Sequence, residues 1–455
     1  MKTFYPEKLA LQAKTRRHVT LHRLKAGLNK ALLPQNTKIV VSAYLLTAFL
    51  LLFDCYIYHN PPTGSISANI LAHFYAIVFP IIVLFAWFFG LYIAGTPKGA
   101  WRIDDKMKRI CVKNDIDEAP ALMKIESGTR PNVKSYIFLS YGIPLSFYED
   151  NIEEIESAMN VNVADVRQGK DRYHVVIRAA DYESALPAII PWSDNYIDPE
   201  DFHLTLGESL LGPELVDLNT IPHILIGGST GSGKTILLKN LLYQSAIKEA
   251  VVYIADFKGG VDFNQKWQRI ANVITDIDTL ISELDKIVKV LEERKLLFHH
   301  MECSNLREYN QRCPQFLFQR VVFGCDEVAE LLDKTGALDK AEKEKISIVE
   351  KRLSTIARQG RAFGIHLILA TQRPDANILN GQIRNNMDLR ICGRADDVLS
   401  KIILDNTDAS ERIPKYEKGL FLTNTNMVIR GYYFTDDDLP KTEEIGSNEH
   451  SGKEA

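Results

Sequence analysis

Two long apolar runs mark the first quarter of the chain. Ile39 to Tyr58 reads IVVSAYLLTAFLLLFDCYIY with one charge, Asp54. After a short uncharged loop, a second run, ANILAHFYAIVFPIIVLFAWFFGLYIAG, ends at Gly95. Each is long enough to cross about 30 Å of hydrocarbon, so the pattern predicts a two-helix transmembrane hairpin over 39–95. Pro80 would kink the second helix, which membrane helices tolerate. Asp54 falls near the outer helix end, where an acid snorkelling to the interface is expected rather than a proton relay.

Beyond Gly95 the pattern changes twice. Over 96–200, strand-like runs at Tyr136–Ser140 and Tyr173–Arg178 flank a helical stretch, Asn151–Met159. They predict a small α/β or α+β module in which no residue calls for chemistry. From about Phe202, apolar runs (HILIGG, VVYIADF, RVVFGCDE, IHLILATQ, LRICGR) alternate with helical spacing such as Leu280, Leu284, Ile287 and Leu291. That alternation predicts an α/β motor over 201–440, with a mostly parallel sheet covered on both faces. GLFLTN and MVIRGYYF read as a late hairpin, and the polar tail 441–455 as disordered.

Charge changes this picture mainly at the N-terminus. Residues 1–38 hold nine Lys/Arg and one acid, while the remaining chain has 45 basic and 57 acidic residues. The bulk is therefore no generic nucleic-acid binder, and any grip on nucleic acid needs a local basic lining. Lys and Arg flank the apolar pair on both sides and are absent from its loop, which places both termini in the cytoplasm. The basic segment 1–38 suits orientation and attraction to anionic lipid, with nucleic-acid contact as the alternative. Six cysteines without metal-like spacing read as reduced thiols.

The candidate chemistry lies at three strand ends. Gly228, Ser229, Thr230, Gly231, Ser232, Gly233, Lys234 and Thr235 fit G-x-x-x-x-G-K-[ST] between a strand and a helix. Backbone N–H groups of such a loop cradle phosphates, Lys234 reaches the β- and γ-phosphates of ATP, and Thr235 ligates Mg²⁺. In RVVFGCDE, Asp326 would hold Mg²⁺ and Glu327 would polarise the attacking water. Gln372 ends a third strand, placed to hydrogen-bond the γ-phosphate or the lytic water. Candidates for an arginine finger are Arg358, Arg361 and Arg384, with Arg390 and Arg394 also available.

Three segments carry a resemblance. LTLGESLLGPELVDLNTIPHILIGGSTGSGKT, LEERKLLFHHMECSNLREYNQRC and ARQGRAFGIHLILATQRPDANILNGQIRNNMDLRICGRADDVLSKIILD together resemble the FtsK/SpoIIIE family of DNA translocases over roughly 203–435. The resemblance implies a RecA-like P-loop motor, ATP hydrolysis and a homohexameric ring that moves DNA. Such a ring needs pore loops that track the phosphate backbone, for which the candidates are Asp333–Lys345, with Lys334, Lys340, Lys343 and Lys345, and Asn377–Asn386 with Arg384. DFKGG (Asp256 to Gly260) stands where that family has Asp-Pro-Lys. Two spans, no long linker and a chain that stops shortly after the motor are similar to TcpA-type conjugative coupling proteins of Gram-positive mobile elements. That likeness implies a bacterial plasma-membrane protein with a relaxase and type IV secretion channel components as partners. The alternatives are a double-stranded DNA translocase in chromosome or plasmid segregation, and a secretion-type ring ATPase moving protein.

Overall fold

The computed structural model describes residues 6–59, 66–128, 130–336, 339–372 and 381–440. The tail 441–455 and residues 377–380 of the second candidate DNA loop lie outside them. The chain divides into two compact units, Met1–Ser184 and Ala185–Ala455.

In the first unit, helices α1 (Pro6–Ala31), α2 (Thr37–His59), α3 (Ile66–Gly95) and α4 (Ala100–Lys113) come first. Pro34–His59 and His73–Gly95 are long and apolar enough to cross a membrane. The two pack side by side, and Trp87 Nε1 donates to Thr47 Oγ1 at 3.1 Å. α1 crosses α3 at very close range: a Cβ on Gly95 would lie 1.7 Å from Arg23 O, and one on Gly27 1.9 Å from Leu91 O. Beside that crossing, the buried Arg23 guanidinium donates to Tyr92 Oη, Asp104 Oδ2 and Leu122 O. Asp54 departs from the expectation of a snorkelling acid. It is 6% exposed, and its Oδ1 has no hydrogen-bond partner among the described residues.

The same unit continues as β1 (Ala121–Ser127), β2 (Val133–Leu139), α5 (Leu145–Asp150), α6 (Ile152–Met159), β3 (Val161–Gln168) and β4 (His174–Asp181). The strands form one antiparallel sheet in the order β1-β2-β4-β3. The module is thus α+β: β1–β2 and β3–β4 are hairpins with short loops, and the segment carrying α5 and α6 joins β2 to β3. Residues 185–200 do not belong with it. Ile190, Trp192 and Tyr196 pack into the core of the second unit, where Trp192 meets Tyr432 edge to face at 5.5 Å.

The second unit runs β5 (His203–Ser209), β6 (Gly212–Asp217), β7 (His223–Gly227), α7 (Lys234–Ile247), β8 (Val251–Ala255), β9 (Asn272–Ile274) and α8 (Ile277–His300). It continues with α9 (Leu306–Arg312), β10 (Val321–Cys325), α10 (Val328–Leu332), α11 (Lys340–Gln359), β11 (Ile365–Thr371), α12 (Gly381–Arg384) and β12 (Leu389–Cys392). It closes with α13 (Asp397–Leu404), α14 (Asp408–Arg412), β13 (Leu420–Thr423) and β14 (Val428–Arg430).

Its ten strands form one sheet in the order β6-β5-β14-β13-β12-β7-β11-β10-β8-β9. From β12 to β9 the pairing is parallel, and from β13 to β6 antiparallel. The largely apolar central strands follow from burial on both faces. Ile224, Ile226, Ile368 and Ala370 join the core under Leu237 and Leu241 of α7. Their neighbours Leu225, Leu367 and Leu369 face Leu284 and Leu291 of α8 and Leu353 of α11. The parallel register aligns the carboxyl ends: Cys325 lies beside Ala255 and Leu369, and Thr371 beside Gly227.

Candidate functional site

The aligned strand ends open onto the turn between β7 and α7. α7 has no side-chain cap at its start; it springs from Gly233 at φ 103°. A Cβ there would be strained and would press on the backbone of Gly419, 3.0 Å away. The turn is braced from outside. Ser229 N donates to Arg394 O at 2.7 Å, Arg394 donates to Thr230 O and Lys415 O, and Gly419 N donates to Ser232 O at 2.8 Å. Arg394, one of the arginines available as a finger, is therefore spent on its own loop.

Three strand tips meet at this turn. Thr235 Oγ1, in the first turn of α7, donates to Asp326 Oδ1 at 2.7 Å. Glu327 is nine-tenths buried; its Oε1 accepts from Thr371 Oγ1 at 2.8 Å and its Oε2 from Gln372 N at 3.0 Å. Gln372 Oε1 in turn accepts from Thr230 Oγ1 at 2.7 Å. Lys234 is buried between these acids and the loop. Burial holds its ammonium below the usual lysine range, and the charges of Asp326 and Glu327 oppose that shift.

A second lysine enters from the tip of β8. Asp256 folds the following segment back on itself, its Oδ1 accepting from Lys258 N and its Oδ2 from Phe263 N, both at 3.0 Å. The fold delivers Lys258 Nζ to within 2.6 Å of Asp326 Oδ2 and 3.0 Å of Asp262 Oδ2. Burial works against this ammonium, but hydrogen bonds to Asp326 and Asp262 hold it above the usual lysine range. Asp326 already faces one hydroxyl and one cation. Thr235 and Asp326 are a hard oxygen donor set of the kind Mg²⁺ takes, and the carboxylate's cationic partner marks where positive charge is favoured.

A cavity of about 420 Å³ adjoins Gly231, Gly233, Lys234 and Thr235 on the hairpin side. Gly419, Phe421, Gly431 and Tyr433, from the hairpin and its flanks, close it. Its place beside the loop suits the sugar and base of a nucleotide whose phosphates lie on the loop. Lys258, Thr371 and this hairpin wall were not assigned from sequence. The available signals were a lysine after the β8 tip in DFKGG, a hydroxyl one residue before Gln372, and glycines flanking the two late strands.

The other candidates lie apart from the turn. Arg358 and Arg361 are exposed just before β11, at the end of that strand opposite Thr371. Seven residues of strand separate them from the site by about 20 Å, so either could act only on a neighbouring chain. Arg384 and Arg390 both pair with Asp405, at 3.6 and 2.5 Å. Among the DNA-loop lysines, Lys334 is paired with Glu350 and Lys345 with Asp278, whereas Lys343 is exposed on α11.

The comparisons with known proteins agree with this geometry. Residues 197–376 match the FtsK/SpoIIIE family model. The chain is 30% identical over 252 residues to the DNA translocase FtsK of Helicobacter pylori (strain ATCC 700392 / 26695), covering 52% of this chain and 28% of that protein. It is 30% identical over 251 residues to the DNA translocase SftA of Bacillus subtilis (strain 168), covering 52% of this chain and 25% of that one. The chain thus spans under a third of the length of these curated relatives. The solved structure of the pCW3 conjugation coupling protein TcpA, in monomer form with ATPgS, is 31% identical. It superposes with a TM-score of 0.58, over 76% of this chain and 99% of that one. With the phosphate-loop geometry and near-complete coverage of that coupling protein, the chain belongs to the FtsK/SpoIIIE family, and its second unit is a P-loop ATPase of that family.

Proposed function

We propose that this chain is a membrane-anchored, ATP-driven DNA translocase that serves as a coupling protein, delivering DNA to a conjugative transfer channel. The observation that carries the motor reading is the meeting of Thr235, Asp326, Glu327 and Gln372 at one glycine-rich turn. In this reading, backbone N–H groups of 228–233 receive the phosphates and Lys234 offsets their charge. Thr235 and Asp326 are the residues that would hold Mg²⁺, which when bound supplies charge neutralisation at the β- and γ-phosphate oxygens. Glu327, aimed by Thr371 and by Gln372 N, accepts a proton from the attacking water. Gln372, tied to Thr230, registers whether the γ-phosphate is present. Its release on hydrolysis gives the tip of β11 two positions, which is the switch a translocating motor needs.

The anchor is the pair α2 and α3, with both termini on the cytoplasmic face of a bacterial plasma membrane. The motor works as a homohexameric ring in which Arg358 or Arg361 completes the site of the next protomer, a reading compatible with their exposure and their distance from their own site. Lys334, Lys343 and Arg384 track the phosphate backbone of DNA without reading bases. The likeness to a conjugation coupling protein over nearly that chain's full length favours conjugation, with a relaxase and type IV channel components as partners. A second reading, a double-stranded DNA translocase in chromosome or plasmid segregation, is favoured by the motor's identity to proteins named as DNA translocases. ATP turnover by the detergent-purified full chain, titrated with single- and double-stranded DNA, tests both. Stimulation by DNA supports a translocase, and a preference for single strands favours conjugation. Turnover indifferent to DNA contradicts both.

A further inference from the structure

The first unit holds a cavity of about 890 Å³ where α1, the end of α3 and strands β1 and β2 come together. Six basic side chains line it: His22, Lys25, Lys30, Lys98, Lys124 and Lys134. No acid lines it among the described residues. Lys124 and Lys134 do reach acids outside the cavity, Glu126 at 2.6 Å and Asp181 at 2.7 Å. Both pairs are solvent-exposed and hold their lysines only weakly. Lys30 donates to Ala94 O at 2.8 Å, in the last turn of α3. Lys25 and Lys98 make no ion pair among the described residues and remain exposed.

Two further observations point to an anion. His22 Nδ1 is buried there without a hydrogen-bond partner among the described residues. Its imidazole is held below its usual range, first by burial and then by the charges of Lys170, His174, Arg23 and Lys124, so the local field is positive. Position supplies the ligand class. The apolar stretch of α3 ends at Gly95 and Lys98 follows three residues later, the depth at which headgroup phosphates meet a helix leaving the bilayer. Ile103, Met123 and Ile125 give the cavity an apolar flank for the glycerol and the first acyl carbons. Arg23 is engaged by Asp104 and Tyr92 at the helix crossing, so it holds the cavity wall rather than the anion.

We propose that this cavity is a binding site for the phosphate headgroup of an anionic phospholipid. The proposal rests on the membrane reading of α2 and α3, and it gives the N-terminal basic helix a defined lipid contact beyond general attraction to the surface. One compact cluster of cations around an open cavity suits a single headgroup, whereas a nucleic-acid strand needs a charged track along its backbone.

The test uses the full chain in a neutral detergent, with bound lipid counted by native mass spectrometry. Dioctanoyl-phosphatidylglycerol is titrated beside dioctanoyl-phosphatidylcholine, inorganic phosphate and a short single-stranded oligonucleotide. Saturable binding of the glycerol lipid over the choline lipid is expected. Affinity should fall about tenfold or more in a Lys25→Gln, Lys98→Gln double variant. It should change less than about twofold in a Lys108→Gln, Arg109→Gln variant, which removes equal charge from the exposed face of α4. Equal binding of the two lipids, or no loss in the first variant, overturns the proposal. So does competition by inorganic phosphate at the lipid's own concentration, which assigns a free-phosphate site. Competition by the oligonucleotide likewise overturns it and assigns a nucleic-acid site. Carbonate extraction of membranes keeps the two readings apart: a chain stripped off by carbonate fails the membrane reading, whereas a retained chain without lipid selectivity fails only this site.

Discussion

Lys258 Nζ lies 2.6 Å from Asp326 Oδ2, so the carboxylate proposed to hold magnesium already carries a cation of the protein's own. Thr235 takes the other oxygen. Metal and ammonium compete for the same carboxylate, and Mg·ATP binding must loosen the Lys258–Asp326 pair. In Lys258→Met the nucleotide-free chain should lose about 1–2 kcal/mol, less than for a fully buried pair because Lys258 is 39% exposed. The Mg²⁺ concentration that half-saturates nucleotide binding should fall. Thermal melts with and without Mg·nucleotide check both, and an unchanged Mg²⁺ requirement contradicts the competition.

Lys234→Ala should weaken nucleotide binding about a hundredfold, since it deletes the buried ammonium that faces the phosphates. Membrane insertion should be unaffected, because the substitution lies wholly within the second unit. Fluorescent-nucleotide titration and carbonate extraction on the same preparation report the two properties separately.

Thr371→Val removes the hydroxyl that donates to Glu327 while keeping the shape of the strand tip. Stability should drop by about 1 kcal/mol. Turnover should fall about tenfold through misaiming of Glu327, with nucleotide affinity within about twofold of wild type. A parallel loss of affinity would mean that Thr371 acts on nucleotide binding rather than on Glu327.

The motor should lose stability in mild acid. His223, buried at the start of β7, has its pKa pushed down to about 4 by burial, and its Nδ1 accepts from Leu367 N. Between pH 6.5 and about 4 the unfolded chain takes up a proton that the folded chain refuses. Stability is therefore full above pH 6.5 and falls as the pH drops through that window, by about 3 kcal/mol in all. His366, also pushed down by burial, acts in the same direction. His223→Gln, which keeps an acceptor for Leu367 N, should flatten the calorimetric melting profile over this range. An unaltered slope assigns the acid sensitivity elsewhere.

Residues whose roles follow from local pattern were legible in the sequence. The turn 228–235 announces itself by glycine spacing between a strand and a helix, and Asp326, Glu327 and Gln372 by polar groups ending apolar runs. Parallel register then brings these tips together, because strands of one doubly wound sheet share their carboxyl edge. What was not legible depends on distant partners. DFKGG stood out only as a departure, since the acid it serves lies 68 residues away and Asp256 must first fold the segment back. The lysines of the first-unit cavity run from Lys25 to Lys134, gathered only by the crossing at Gly27 and Gly95. Arg358 and Arg361 read as finger candidates, yet only the strand direction of β11 reveals that they cannot reach their own site.

The most direct measurement compares wild type with Glu327→Gln in the detergent-purified full chain, following ATP binding and ATP turnover with and without DNA. Wild-type turnover should rise several-fold on adding DNA. Glu327→Gln should bind ATP with near-normal affinity and turn it over about a hundredfold more slowly or worse. Normal turnover in Glu327→Gln, or wild-type turnover that DNA leaves unchanged, would contradict a motor in which this carboxylate drives hydrolysis coupled to DNA.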